Sequence, residues 1–262
     1  MKIRRKKYHF NVFNVVMLVI LLVYAFSMVF LLCWAFISSF KSKTDFNIYP
    51  LEWPKGFHFE NYTNIFKDLN VPITVVGVGQ RKMYLLELFW NSIVYTVGCT
   101  FVDILAKAAV AYVVARYKFR FGKFLYSLNL VIMILPIIGA LPSELRMMRL
   151  LGFYDNVFAL MLMKGSYTGM NFMIFHATFA SIEKDYTEAA TIDGASHVAI
   201  MFKIIFPMAK QIITILALTS MITYWNDWNV SVTYLPSWPT ASYALFVFQN
   251  SNLPEIALGG IP

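Results

Sequence analysis

Glu188, Asp193 and Gly194 stand in the stretch YTEAATIDGASHVAIMFKIIFPMAKQ, Tyr186 to Gln211, which separates two long apolar runs. Acidic side chains at this spacing beside a glycine suit two tasks: ending a short helix in a tight turn, or pairing with a basic group on another protein. Asp103 and Lys107 stand four apart inside another apolar run, acid first, so they can meet on one helix face. A structural ion pair is the first reading of them and a transport role the second. Lys164 has no acid within its own run, so it either meets a carboxylate from a neighbouring helix or borders a watery path. The sequence YWNDWN, Tyr224 to Asn229, gathers rings and hydrogen-bonding groups at the end of a run. Neutral saccharides are held by aromatic faces and by Asn, Gln or Asp, which makes Trp225, Asn226 and Asp227, with Lys164 and Asn171, candidate contacts along a substrate path. An interfacial aromatic belt is the competing reading. His176 and His197 are isolated from other ligand types, and no HExxH, paired-aspartate or Ser/His arrangement occurs, so neither a metal site nor an intramembrane enzyme is indicated.

The elements that must position these residues are membrane spans. Of 262 residues 59% are hydrophobic and 14% charged, where soluble domains carry about a quarter charged. A helix needs about 20 apolar residues to cross the hydrocarbon core. Five segments qualify, at 12–40, 88–115, 121–141, 156–180 and 208–232, giving one all-α polytopic membrane unit. The net charge of +8 collects at the ends of these runs rather than on one surface, which argues against nucleic acid as a partner. Lys2, Arg4, Arg5, Lys6 and Lys7 precede the first span, and Arg116, Lys118, Arg120 and Lys123 fill the link between the second and third, so both regions are expected in the cytoplasm. The first apolar run is far longer than the roughly 7 to 15 residues of a signal h-region and reads as a retained span. Alternation then places 41–87, 142–155 and 235–262 outside and 181–207 inside. Cys33 and Cys99 fall within apolar segments and read as small buried hydrophobes.

Within the internal loop, Asp185-x-x-Glu188 predicts a capping-box start and Gly194 a left-handed stop, framing a helix over 186–193. Ser196 is placed to cap a second helix whose Val198, Met201, Phe202 and Ile205 would share one apolar face, and Pro207 suits the first turn of the next span. Helices this short persist only when packed against their own spans or a partner.

Glu188-Ala189-Ala190, then Asp193-Gly194-Ala195, then Ile204-x-Phe206-Pro207 resembles the EAA loop of membrane permeases of binding-protein-dependent ABC importers, in the form typical of the carbohydrate branch, the maltose and multiple-sugar type. Phe206 stands where that family usually has Leu. Asn91-Ser92, Ala111-Tyr112 with Arg116, Leu151-Gly152 and Trp225-Asn226 extend the likeness over about residues 10 to 250. The resemblance implies a type I importer permease whose loop seats in a cleft of a cytoplasmic ATPase subunit. ATP and magnesium would then be held by that subunit, and this chain would be no enzyme. Glu188 would face a basic residue of the cleft, Ala189 and Ala190 would allow close approach, and Asp193 would fix the turn through nearby amides.

The same resemblance implies a second permease subunit, an external solute-binding protein, a sugar or oligosaccharide substrate, and the lipid of a bacterial cytoplasmic membrane. Residues 41–87, with Trp53, Phe57, Phe59 and Tyr62, and the loop 235–262 are candidate docking surfaces. An ion-gradient-driven transporter or channel is the alternative, and it predicts inverted repeats or Gly/Pro-broken spans, neither of which the sequence displays. The family usually has a further span after the last loop, so a sixth helix is expected beyond Gly259-Gly260-Ile261-Pro262.

Overall fold

The computed structural model describes residues 12–75, 79–117, 119–135 and 139–251. The basic residues Lys2 to Lys7, Lys118 and the final stretch to Pro262 lie outside these. The described residues fall into two compact units, 12–68 with 249–251, and 69–248.

In the first unit, α1 (Val12–Ser38) is apolar all round and its one buried residue is Ser38. Such a helix finds a matching solvent in lipid, in keeping with a span. Below it, Ser42 caps α2 (Lys43–Ile48) by accepting from the Asp45 N–H, and the buried Lys41 ammonium donates to the carbonyls of Tyr49 (2.7 Å) and Pro50 (3.0 Å). Phe57, Phe59 and Tyr62, the last on α3 (Glu60–Asp68), gather around the Phe40 ring at 5.3–5.8 Å between centroids. Three of the four aromatic residues expected on a docking surface therefore also stabilise their own loop, while Trp53 stays largely exposed.

The second unit opens with a hairpin the sequence did not announce. Strand β1 (Asn70–Val75) pairs antiparallel with β2 (Gly79–Tyr84), Asn70 opposite Tyr84. The hairpin feeds α4 (Leu85–Arg116), 32 residues long, which rises about 48 Å. Then come α5 (Arg120–Ile134), α6 (Leu141–Leu150), α7 (Val157–Lys164), α8 (Met170–Ser181), α9 (Asp185–Ile192), α10 (His197–Ile200), α11 (Phe206–Met208), α12 (Lys210–Trp225), α13 (Asn229–Thr233) and α14 (Ala241–Ser251). Helix α4 packs on α7, α8 and α12. Its ends serve two hydrophobic clusters: one of Tyr95, Cys99, Met148, Leu160, Val230 and Leu235, the other of Ala111, Tyr112, Phe175, Phe179, Ile200 and Ile205. At the first-cluster end, Asn91 donates to the Pro239 carbonyl (3.1 Å) and the Ser92 hydroxyl accepts from the Ala241 N–H (2.8 Å), anchoring the return of the chain before α14.

The expected five uninterrupted spans are not all realised as such. Among the described residues only α1 and α4 are individually long and apolar enough to cross a membrane, with a third crossing if 197–208 and α12, bent by 82°, count as one. The segment 121–141 forms a helix that ends at Ile134. The segment 156–180 is broken between α7 and α8, which corrects the expectation that no span is interrupted at glycine. The break has local causes. Gly169 adopts φ 113°, closed to most L-residues, and at Gly165 a Cβ would lie 2.8 Å from Val102 Cγ1 and 3.0 Å from the Leu162 carbonyl oxygen. The amide freed at Gly169 is satisfied by Oδ1 of the fully buried Asn129 on α5, at 2.6 Å.

Gly165→Val should therefore push α7 from α4 and destabilise the bundle by about 1–3 kcal/mol, read as a lower thermal midpoint of the detergent-solubilised protein. An unchanged midpoint would show that the close approach at Gly165 carries no packing demand.

Candidate functional site

The loop 181–207 folds as two short helices around a sharp bend. Lys184, at the N-cap of α9, makes no side-chain cap, so the expected capping box is not formed. Asp185 and Glu188 instead occupy the first turn, where negative charge opposes the positive end of the helix dipole. Gly194, at φ 80°, closes the helix in a Schellman motif: its N–H bonds to the Thr191 carbonyl (3.0 Å) and the Ala195 N–H to that of Ala190 (2.9 Å). The turn is held by backbone alone. The Asp193 carboxylate makes no hydrogen bond among the described residues, contrary to the turn-fixing part expected of it, and only its N–H is engaged, with Ala189.

Ser196 does cap α10, accepting from the Ala199 N–H at 3.3 Å. Beyond it Met201–Ile205 is a π-helical turn in which the Phe206 N–H reaches the Met201 carbonyl. Pairing over five residues aligns Ile200 with Ile205, and both are fully buried. Of the face expected from helical spacing, Ile205 is buried and Met201 half-buried against the same cluster, while Val198 and Phe202 are exposed. Pro207 is the middle residue of the three-residue α11 and stands before the bend at Ala209, one helix earlier than the expected span start.

One side of this loop is core and the other is free. Ala190 is 7% exposed and joins the cluster of Phe179, Ile200 and Ile205. Glu188, Ala189, Asp193 and Gly194 are exposed, and so are the apolar Tyr186, Ile192 (86%) and Val198 (63%). Two residues at the end of α4 hold both arms. The Arg116 guanidinium donates to the carbonyls of Ile182 (2.6 Å) and Glu183 (3.0 Å) and to the Thr187 hydroxyl, while the Tyr117 hydroxyl meets His197 Nδ1 at 2.8 Å.

A polar seam runs between α4 and α12. Tyr95, Cys99 and Asp103 recur at every fourth position on α4; Ser220 and Tyr224 do so on α12, with Asp227 just after its end. Asp103, 2% exposed, pairs with Lys107 and accepts from the Ser220 hydroxyl at 3.2 Å. Asn171, from α8, donates to the same hydroxyl at 3.4 Å, and Tyr95 donates to Asp227 at 3.4 Å. Lys164 forms no ion pair among the described residues; its ammonium lies 5.9 Å from the Tyr224 ring centroid. Asn171 and Asp227 thus enter the seam directly and Lys164 stands beside it. Trp225 packs on Phe89, and Asn226 folds back to the Ile222 carbonyl (2.8 Å), so neither joins.

Residues 107–256 match the model of the family described as binding-protein-dependent transport system inner membrane component, more than half of the chain. The chain belongs to that family. This permease chain is 27% identical to the diacetylchitobiose uptake system permease protein of Streptomyces coelicolor, over 76% of its own length and 62% of the relative's. It is 25% identical to the melibiose/raffinose/stachyose import permease protein of Bacillus subtilis, over 82% and 75% respectively. With the multiple sugar-binding transport system permease protein of Streptococcus mutans it shares 29% over 76% and 67%. The permease chain thus spans roughly two thirds of the length of such relatives. Its fold is that of a chain in a bacterial ABC transporter that imports the acidic polysaccharide alginate, with a TM-score of 0.74 at 20% identity, covering 97% of this chain and 92% of that one.

Several residues of the permease that matter here escaped the sequence reading. Asn129 was hidden in an apolar run, although a lone amide at that depth is itself a signal. Tyr117 gave no sign, because its partner lies 80 residues away. Arg116→Ala should free the arms of the loop, so that amide exchange over 182–200 accelerates about five- to thirtyfold, measured by hydrogen–deuterium exchange. In the seam, Asp103→Ala leaves the Lys107 charge without its acid and should cost about 3–5 kcal/mol. Asp103→Leu with Lys107→Met should recover most of that, as seen by thermal unfolding. A double variant no better than the single one would assign Asp103 to some role other than neutralising Lys107.

Proposed function

We propose that this permease is one transmembrane subunit of an ATP-driven importer that moves a sugar or oligosaccharide from an external binding protein into the cytoplasm by alternating access. The observation that carries the reading is the two-sided loop 181–207. Its inner side is fused to the core through Ala190, Ile200 and Ile205 and tied to α4 through Arg116 and Tyr117. Its outer side offers Glu188 beside exposed Tyr186, Ile192 and Val198. A loop so mounted transmits displacement instead of absorbing it. The outer side seats in the cleft of an ATPase subunit, which binds ATP and magnesium, and a basic residue there meets Glu188. Five crossings are proposed, by α1, α4, α5, the broken α7–α8 and α12, in a bacterial cytoplasmic membrane, with the N-terminus and the loop inside. A second permease subunit completes the pathway.

Closing the ATPase pair draws the seated loops together, and the helices fixed to them move as rigid bodies. Driving a two-state equilibrium from 1:99 to 99:1 takes about 5.5 kcal/mol, which must pass through contacts such as this loop. The seam of Asp103, Asn171, Ser220, Tyr224 and Asp227, with Lys164 beside it, is the proposed lining of the path. Relatives named for diacetylchitobiose uptake and for melibiose, raffinose and stachyose import support a saccharide as cargo.

Glu188→Arg and Gly194→Val test the coupling. Each should lower copurification of the ATPase subunit and reduce ATP-dependent uptake of neutral oligosaccharides by reconstituted vesicles at least tenfold, with the permease itself still folded. Uptake that persists without the ATPase and follows an ion gradient would overturn the proposal in favour of secondary transport.

A further inference from the structure

Where the second span ends, a groove of about 740 Å³ opens among the α4–α5 link, α5 and α8. Its polar wall carries Arg120, Lys123, Tyr126, Ser127 and His176. Arg120 and Lys123 are exposed and neither has a carboxylate or hydrogen-bond partner among the described residues, so two positive charges one helical turn apart are held side by side unneutralised. The hydroxyls of Tyr126 and Ser127 are likewise unengaged. Phe119 at the N-cap of α5 offers no side-chain acceptor, which leaves the first-turn amides and the positive end of that helix at the same place. Val114 and Phe119 also line a second, wholly apolar furrow of about 350 Å³ between α4 and α5, with Val110, Val113 and Leu125.

We propose that this composite groove binds one anionic phospholipid of the inner leaflet, its phosphodiester between Arg120 and Lys123 and one acyl chain in the furrow. A polar compartment with two cations beside a dry furrow, the two meeting at Val114 and Phe119, has the chemical sequence of a lipid: charged at one end, hydrocarbon at the other. A soluble phosphate would use the first compartment and leave the second empty, and an apolar helix of a partner would leave both cations unmatched. Cations at a cytoplasmic membrane surface are attracted to anionic headgroups, and here the groove fixes where that attraction acts. The inference rests on the orientation proposed above only for which leaflet supplies the lipid.

The test is native mass spectrometry of the complete, delipidated importer assembly, titrated with phosphatidylglycerol, with phosphatidylcholine of the same chains, and with inorganic phosphate. One phosphatidylglycerol per copy of this chain should survive conditions that strip phosphatidylcholine, undisturbed by phosphate. R120Q/K123Q should weaken its retention about tenfold or more, and V113W, which fills the furrow without changing charge, should weaken it as well, even if the charge variant fails to assemble. Equal retention of the two lipids, displacement by phosphate alone, no lipid bound by the wild type, or undiminished retention by V113W would each overturn the assignment. Loss of coupling would alter uptake but not lipid retention, so failure here is distinguishable from failure of the importer reading.

Discussion

A carboxylate in hydrocarbon must be matched or it is not there as a charge, and Asp103 is matched on two sides. Lys107, one turn along the same helix, supplies the opposite charge, and Ser220 on α12 supplies a hydrogen bond. Through that hydroxyl the amide of Asn171 on α8 is drawn in too. One buried acid thereby fixes the mutual register of three helices, a task that apolar contacts between helices in lipid do weakly, since side chain and lipid tail are equally oily. Small and polar residues do the rest: Gly165 lets α7 close on Val102, and Asn129 satisfies the amide at the start of α8.

Helix α4 turns this local register into a mechanical axis. From Asp103 to Arg116 is thirteen residues of unbroken helix, about 20 Å, with no glycine or proline in between to bend it. At one end of that stretch stands the seam and at the other the arginine that grips both Ile182 and Glu183. Loop and polar seam are thus joined by one stiff rod. The bend at Ala209 sits on the other strand of the connection, where α11 passes into α12. One route from loop to seam is therefore straight and the other hinged.

Much of this was visible in residue types. Gly194 announced its left-handed turn because few alternatives exist after a short helix, and Ser196 announced its cap because the hydroxyl acts within three residues. Asp103 and Lys107 announced their pairing because helical geometry puts i and i+4 together. Features built from distance in sequence were not legible: the Tyr117–His197 contact, the Asn129–Gly169 bond and the hairpin at 70–84 depend on where the chain returns. The apolar face of 197–205 was misjudged for a subtler reason. A π-helical turn changes the period, so of Val198, Met201, Phe202 and Ile205, which regular 3.6-residue spacing selects, Ile205 alone is fully buried, and it aligns with Ile200, which that spacing passes over.

The loop that ends in this π turn carries two kinds of information along a single short segment. Residues that decide how the loop sits on its own bundle, Ala190, Ile200 and Ile205, point one way, and those available to a visitor, Glu188, Ile192 and Val198, stay on the outside. The outward set is free to be rewritten without disturbing the inward one. A surface so divided can take a different partner while the bundle beneath it stays as it is, because identity and architecture are encoded on opposite sides of the same few residues.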